Sequence, residues 1–117
     1  MKWKNRGHEY DDMYQKISEK NRFYLFGAGD YGKQFMRIFK SEIQIKGYID
    51  SDISRHGNMI DGKMCNSLED ISLGENDGII VTMSQAARVS ALEQLRALEY
   101  RKNTDYFMIE EFLSVYH

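Results

Sequence analysis

Three features of this sequence predict a three-layer α/β fold, a parallel sheet of about four to five strands with helices on both faces. Phe23-Tyr24-Leu25-Phe26 and Ile79-Ile80-Val81 are apolar runs without alternation, as expected of parallel strands covered on both sides. Stretches with helical spacing of apolar residues alternate with these runs. Between the first strand and the helix after it stand Gly27, Gly29 and Gly32, in the spacing G-x-G-x-x-G.

From the amino end, Glu9 to Lys20 places Tyr10, Met13, Tyr14 and Ile17 on one helical face. The first strand and the glycine turn follow, and then Tyr31, Phe35, Ile38 and Phe39 mark a second helix. IQIKGYID reads as a second strand ending at Asp50. The polar stretch after it holds an Asp61-Gly62 turn between two short strand-like pieces, and Ser67 with Asp70 marks a short helical start. An Asp77-Gly78 turn leads into DGIIVTM, another strand. Ser84 caps a long helix with Ala87, Ala91, Leu95 and Leu98 along one face. TDYF reads as a last strand, and Ile109, Phe112, Leu113 and Tyr116 make a closing amphipathic helix. A single domain over 1–117 is expected: an N-terminal helix in 1–20, an α/β core over 22–108 and a C-terminal helix over 109–117. Right-handed crossovers reduce its layout to a Rossmann-like or flavodoxin-like sheet.

Composition narrows the function. The 117 residues carry a net charge of −2, which excludes a surface built to coat nucleic acid. No apolar run approaches the ~20 residues of a membrane span, and the start MKWKNRGHEYDD lacks the apolar core of a signal peptide. A single cysteine, Cys65, leaves no internal disulfide and no multi-cysteine zinc site; it reads as a small apolar filler. A cytoplasmic location is expected.

The glycine spacing has a mechanical meaning. Gly27 permits the sharp turn out of the strand, Gly29 lets a pyrophosphate approach the backbone, and Gly32 lets the helix pack close to the sheet. Free N–H groups from Asp30 to Lys33 would face the anion. Asp50 lies about 20 residues beyond the motif, where such folds place a carboxylate on a ribose hydroxyl. Asp30 opposes this, because a carboxylate at the helix start caps the free N–H groups itself and repels a phosphate. Lys33 offsets it only if its side chain reaches back.

Other chemistries fit less well. Asp50-Ser51-Asp52 has the D-x-D form of a metal site, but metal binding is not expected of so short a chain. A receiver domain needs an acidic pair where the glycines stand. No tyrosine precedes a lysine at the Y-x-x-x-K spacing of short-chain dehydrogenases. His8, His56 and His117 are scattered through terminal or loop segments and read as solvated rather than catalytic, with His56, next to Gly57, the one that could reach the site mouth. Tyr31, Phe35 and the other aromatic stripes are expected in the core.

The segments YLFGAGDYGKQF, IKGYIDSDISRHGNMIDGKMCNSLEDI and DGIIVTM, in this order over about residues 22 to 100, resemble the Rossmann-like nucleotide-binding modules of bacterial surface-sugar pathways. Similar domains stand at the amino end of sugar O-acyltransferases, which bind a nucleotide-linked sugar. They also occur as the NAD- or CoA-binding-like domain of polysaccharide-biosynthesis dehydratases and transferases. The resemblance implies a nucleotide pocket lined by Gly27, Ala28, Gly29, Asp30, Tyr31, Gly32, Asp50, Ser51, Thr82, Met83 and Ser84. The acyltransferases carry their catalytic histidine on a C-terminal β-helix, whereas DYFMIEEFLSVYH makes an α-helix here, so the resemblance implies binding rather than acyl transfer.

The expectation is therefore a domain that binds NAD or a nucleotide-sugar, as a binding or regulatory module without its own catalytic set. Two alternatives stay open from the sequence: a small NAD-dependent reductase or sugar-nucleotide transferase completed by oligomerisation or a partner enzyme, and a protein interaction module. In the last case the stripes of the first and closing helices would form a docking or dimer face.

Overall fold

The computed structural model describes residues 11–116. Its elements run α1 (Asp11–Ser18), β1 (Arg22–Phe26), α2 (Asp30–Phe39), β2 (Gln44–Ile49), β3 (Met59–Ile60), β4 (Lys63–Asn66), β5 (Asp77–Val81), α3 (Gln85–Ala97), β6 (Tyr106–Met108) and α4 (Ile109–Val115). The strands form one six-stranded sheet in the order β3-β4-β2-β1-β5-β6. Every pairing is parallel except β3 with β4. That hairpin turns at Asp61 and Gly62, with φ of 50° and 80°, the left-handed pair that a two-residue hairpin turn requires. Its two-residue outer strand brings the sheet to six.

The apolar run of β1 divides between two cores. Phe23 and Leu25 face α1, α2 and α4, where Met13, Ile17, Phe35, Met36, Phe112 and Val115 are buried with them. Tyr24 and Phe26 face the other way, toward Ala91 and Leu95 of α3 and the loop residues Leu68 and Ile71. The first layer is aromatic: the Phe112 ring stands edge-on to Phe23, Phe35 and Phe39 and stacks on Tyr116 at 5.0 Å. Burial on both faces is why β1 shows no alternation. The stripes of the first and closing helices are thus core at Met13, Ile17, Phe112 and Tyr116, while Leu113 is exposed; Tyr10 lies outside the described residues. Cys65 is fully buried on β4, where burial pushes its thiol pKa up.

Several local expectations need correction. Tyr31 and Ile38 are not core but 55% and 56% exposed, because Phe35 and Met36 carry the buried face of α2. On α3, Ala91 and Leu95 are buried, but Ala87 and Leu98 are exposed. Ser67 starts only a single 3₁₀ turn over Leu68–Asp70, and Ser67 and Ser84 both occupy the N-cap position without a side-chain capping bond. Asp77 and Gly78 are not a turn but the first residues of β5. Gly78 is small because a Cβ there would lie 3.1 Å from the Phe23 ring.

Asp77 is buried at the amino end of the sheet, directly opposite Arg22 of β1. Its carboxylate accepts from Arg22 Nε at 2.9 Å and from the Gly74 N–H at 3.0 Å, and Lys46 Nζ lies at 3.5 Å. Burial pushes the Asp77 pKa up, but the Gly74 N–H, Arg22 and Lys46 together outweigh it and hold the carboxyl below its usual range. A depressed carboxylate pKa stabilises the fold above the unfolded value, about 3.9, and that contribution is lost as pH falls through the folded value. Asp77→Asn should therefore cost about 1–2 kcal/mol at neutral pH, the low end for charge-assisted bonds because Arg22 and Lys46 are partly solvated. Denaturant titrations from pH 7 to 2 should show the two proteins converging below about pH 4. A constant difference across that range would rule out the ionised carboxylate as its source.

Candidate functional site

The chain runs from β1 to β2 and on to β4 on one side of the sheet, and returns through β5 and β6 on the other. Strand order therefore reverses between β1 and β5, and ligands of open α/β sheets bind in the crevice at the carboxyl ends of such strands. A cavity of about 350 Å³ lies there, lined by Gly27, Gly29, Asp30 and Tyr31 after β1, Asp50, Ser51 and Arg55 after β2, Thr82, Met83 and Ser84 after β5, and Ala87, Ser90 and Ala91 on α3.

The three glycines of the turn answer to different constraints. Gly27 has φ of 121°, and a Cβ there would lie 2.5 Å from the Thr82 carbonyl oxygen. Gly32 packs α2 against the turn so closely that a Cβ would come within 1.9 Å of the Gly27 carbonyl oxygen. Gly29 differs. Its φ of −84° is open to any residue, and among the described residues a Cβ there would meet nothing nearer than Arg55 Nη1 at 3.8 Å. Thr82, buried, locks the arrangement: its hydroxyl donates toward the Gly27 carbonyl at 3.1 Å, and its N–H donates to Phe26.

Gly29 is the N-cap of α2 and makes no side-chain capping bond, so the first N–H groups of the helix are left for another partner. Asp30 makes no capping bond to them, against expectation, and is itself a lining residue of the cavity. Lys33 is not a lining residue, and its N–H donates to the Gly29 carbonyl within the helix.

The cation at the site is Arg55, which the sequence reading missed. Asp50 Oδ2 accepts from Arg55 Nη1 at 2.9 Å and from the Ala28 N–H at 2.8 Å, while Oδ1 accepts from the Asp52 N–H at 2.9 Å. The Asp50 side chain is 14% exposed and that of Arg55 38%. Arg55 ends a 3₁₀ turn, Ile53–Arg55, capped by Asp52 through the N–H and hydroxyl of Ser54. Those two bonds hold the Asp52 carboxyl below its usual pKa range. The D-x-D pair is thus engaged by neighbouring donors, and among the described residues no group of His, Cys, Asp and Glu is arranged to hold a metal ion. His56 does not reach the mouth; its Nε2 lies 2.6 Å from the Asp50 carbonyl oxygen.

The residues that α3 contributes to the lining are small: Ala87, Ser90 and Ala91. Arg88 fixes this side by donating to the Met83 carbonyl at 3.1 Å and pairing with Glu110 of α4 at 2.6 Å. Gln94 ties two lining serines together, donating to the hydroxyls of Ser51 at 3.0 Å and Ser90 at 3.2 Å. Of the residues expected at the site, only Ala28 and Gly32 stand outside the lining. Ala28 is buried with its N–H committed to Asp50, and Gly32 is committed to packing. Ala87 keeps the spacing of the α3 stripe but is exposed, because it lines the cavity.

These contacts separate the glycines by experiment. Gly29→Ala should melt within about 1 kcal/mol of wild type, whereas Gly32→Ala should lose several, on the order of 3 kcal/mol or more, because backbone must shift. Equal losses in thermal melts would contradict the distinction between an open and a packed glycine.

Residues 19–104 match the family described as C2185-like, N-terminal. No curated protein matches. Two crystal structures share the fold at 14% identity: RSP in complex with β-NADH, with a TM-score of 0.55 over 91% of this chain, and RSP described as a Rex-family repressor, with 0.56 over 94%. This chain spans 64% and 65% of those two, under two thirds of their length. At that identity the likeness concerns the fold, a Rossmann-like α/β sheet. With its glycine turn and both flanking strands inside the matched span, the chain belongs to the C2185-like N-terminal family.

Proposed function

We propose that this domain binds a nucleotide, NAD(H) first among the candidates, in the crevice between the carboxyl ends of β1 and β5. The observation that carries the reading is Gly29. Packing and backbone conformation account for Gly27 and Gly32, but nothing among the described residues requires a glycine at 29. A ligand that approaches the backbone does. A pyrophosphate seated there would take the free N–H groups at the start of α2 and the favourable end of its dipole. The small-residue wall of α3 leaves a slot beside it for a planar base. RSP, which shares the fold, was crystallised with β-NADH.

A nucleotide-sugar is the second reading. A cavity of about 350 Å³ is at the low end for small-molecule sites and suits one nucleoside diphosphate better than a whole dinucleotide. In either case the lining offers carboxylates, one guanidinium and hydroxyls, and the reading is of a binding or regulatory module whose occupancy is sensed by another segment or partner. The surface-sugar pathway draws no support from the family match or the fold neighbours.

Thermal melts with NADH, NAD, NADP, ADP and UDP-sugars test the reading. A ligand at about a hundred times its Kd stabilises by about 2.7 kcal/mol, a rise on the order of 10 °C for a chain of this size. Gly29→Val should melt near wild type and lose that rise, because its side chain fills the place of the phosphate. Absence of any rise in wild type across the set would overturn the proposal.

A further inference from the structure

We infer that Arg55 is an exchangeable counter-ion, pairing with Asp50 in the free protein and passing to the ligand's phosphate on binding, which opens Asp50 to the ribose. The inference rests on the nucleotide reading above and specifies the ligand chemistry, a phosphate next to a ribose with both vicinal hydroxyls free. An ionised carboxylate offers about four acceptor positions. On Asp50, Oδ2 already takes the Ala28 N–H and Arg55, and Oδ1 takes the Asp52 N–H. One position is left on Oδ1, whereas a ribose that presents two adjacent hydroxyls needs one on each oxygen.

Of the three donors, two are backbone groups fixed by the chain. Ala28 is buried within the glycine turn, and the Asp52 N–H leads into the 3₁₀ turn. Arg55 is a long, partly exposed side chain whose second ion pair, to Asp52, is stretched to 3.8 Å. It is the donor able to leave. It also has a destination, since Nη1 already stands 3.8 Å from the Cβ position of Gly29, over the floor where a phosphate would rest. Among the described residues lining the cavity Arg55 is the one cation, and a phosphate beside Asp30 needs it. A 2′-phosphate would meet Asp50 and lose the exchange, so the chemistry disfavours NADP.

Adenosine, inorganic pyrophosphate and ADP, titrated into wild type, Arg55→Ala, Arg55→Gln and Asp50→Asn, test the exchange, with thermal melts of each protein as fold control. Arg55→Ala should weaken ADP roughly ten- to a hundredfold, the loss of a charge-assisted bond, while adenosine binds more tightly because Oδ2 is open. Asp50→Asn should strengthen pyrophosphate, its competitor for Arg55 removed, and weaken adenosine. If Arg55→Ala binds ADP like wild type, or loses adenosine as much as ADP, Arg55 is only a strut for Asp50 and the exchange is wrong. If wild type binds none of NADH, NAD, NADP, ADP and the UDP-sugars, the nucleotide reading itself falls and the exchange with it. Should Arg55→Ala melt early, Arg55→Gln carries the same comparison.

Discussion

The approach of α2 to the turn that precedes it, with no room for a single methyl between Gly32 and the Gly27 carbonyl, is the constraint on which the site depends. It forces Gly27 into a conformation that side chains rarely adopt, and that conformation brings the turn under the Thr82 backbone and hydroxyl. With the turn pinned from below by β5 and from behind by α2, the backbone at 28 and 29 has one orientation left. Ala28 donates sideways to Asp50, and the start of α2 opens into the crevice. A packing requirement in two glycines therefore fixes the direction of N–H groups that are not themselves part of the packing.

Much of this was legible because it rests on periodicity and on glycine. β1 and β5 read as buried strands because both of their faces are covered, and the glycine turn is recognisable since each glycine has its own steric cause. Asp50 was placed by its position at the end of β2. What was not legible is the conformation of the polar segment after it. The placement of Arg55 depends on the Asp52 cap and a single 3₁₀ turn, features with no repeat that sequence spacing could display. The nearby His56 was the more conspicuous residue, yet the turn carries it to the Asp50 carbonyl and brings Arg55 to the cavity.

The α2 and α3 stripes fail in an instructive way. Tyr31 and Ala87 both keep the helical spacing of core residues, and both lie in the first turn of their helices, where the sheet ends and the crevice begins. A stripe tells which side of a helix faces the sheet. It does not tell where along the helix the sheet stops, so residues at the carboxyl edge of the strands carry a core-like pattern while lining the site. The tyrosine and alanine are apolar on one side of that boundary for the same reason as Phe35 and Ala91 on the other, and only the length of β1 and β5 separates them.

The two ends of the sheet then show what sets a structural carboxylate apart from one available to a ligand. Asp77 at the amino end and Asp50 at the carboxyl end each take an N–H from the backbone and a charged nitrogen from an arginine. Asp77 is buried, and its arginine stands directly across the strand pair, held by the register of β1 and β5. Lys46 from β2 supports the same carboxylate at 3.5 Å, so three neighbouring strands meet on it. Asp50 lies past the end of its strand, and its arginine comes from a loop with solvent around it. The same pair of groups ties strand to strand at one end of the sheet and ties a loop to a strand end at the other. Both arginines are partly exposed, so the carboxylates set this difference. Asp77 is fully buried and fixed by strand register, while Asp50 stands past its strand at the edge of the crevice, where desolvation holds it less tightly.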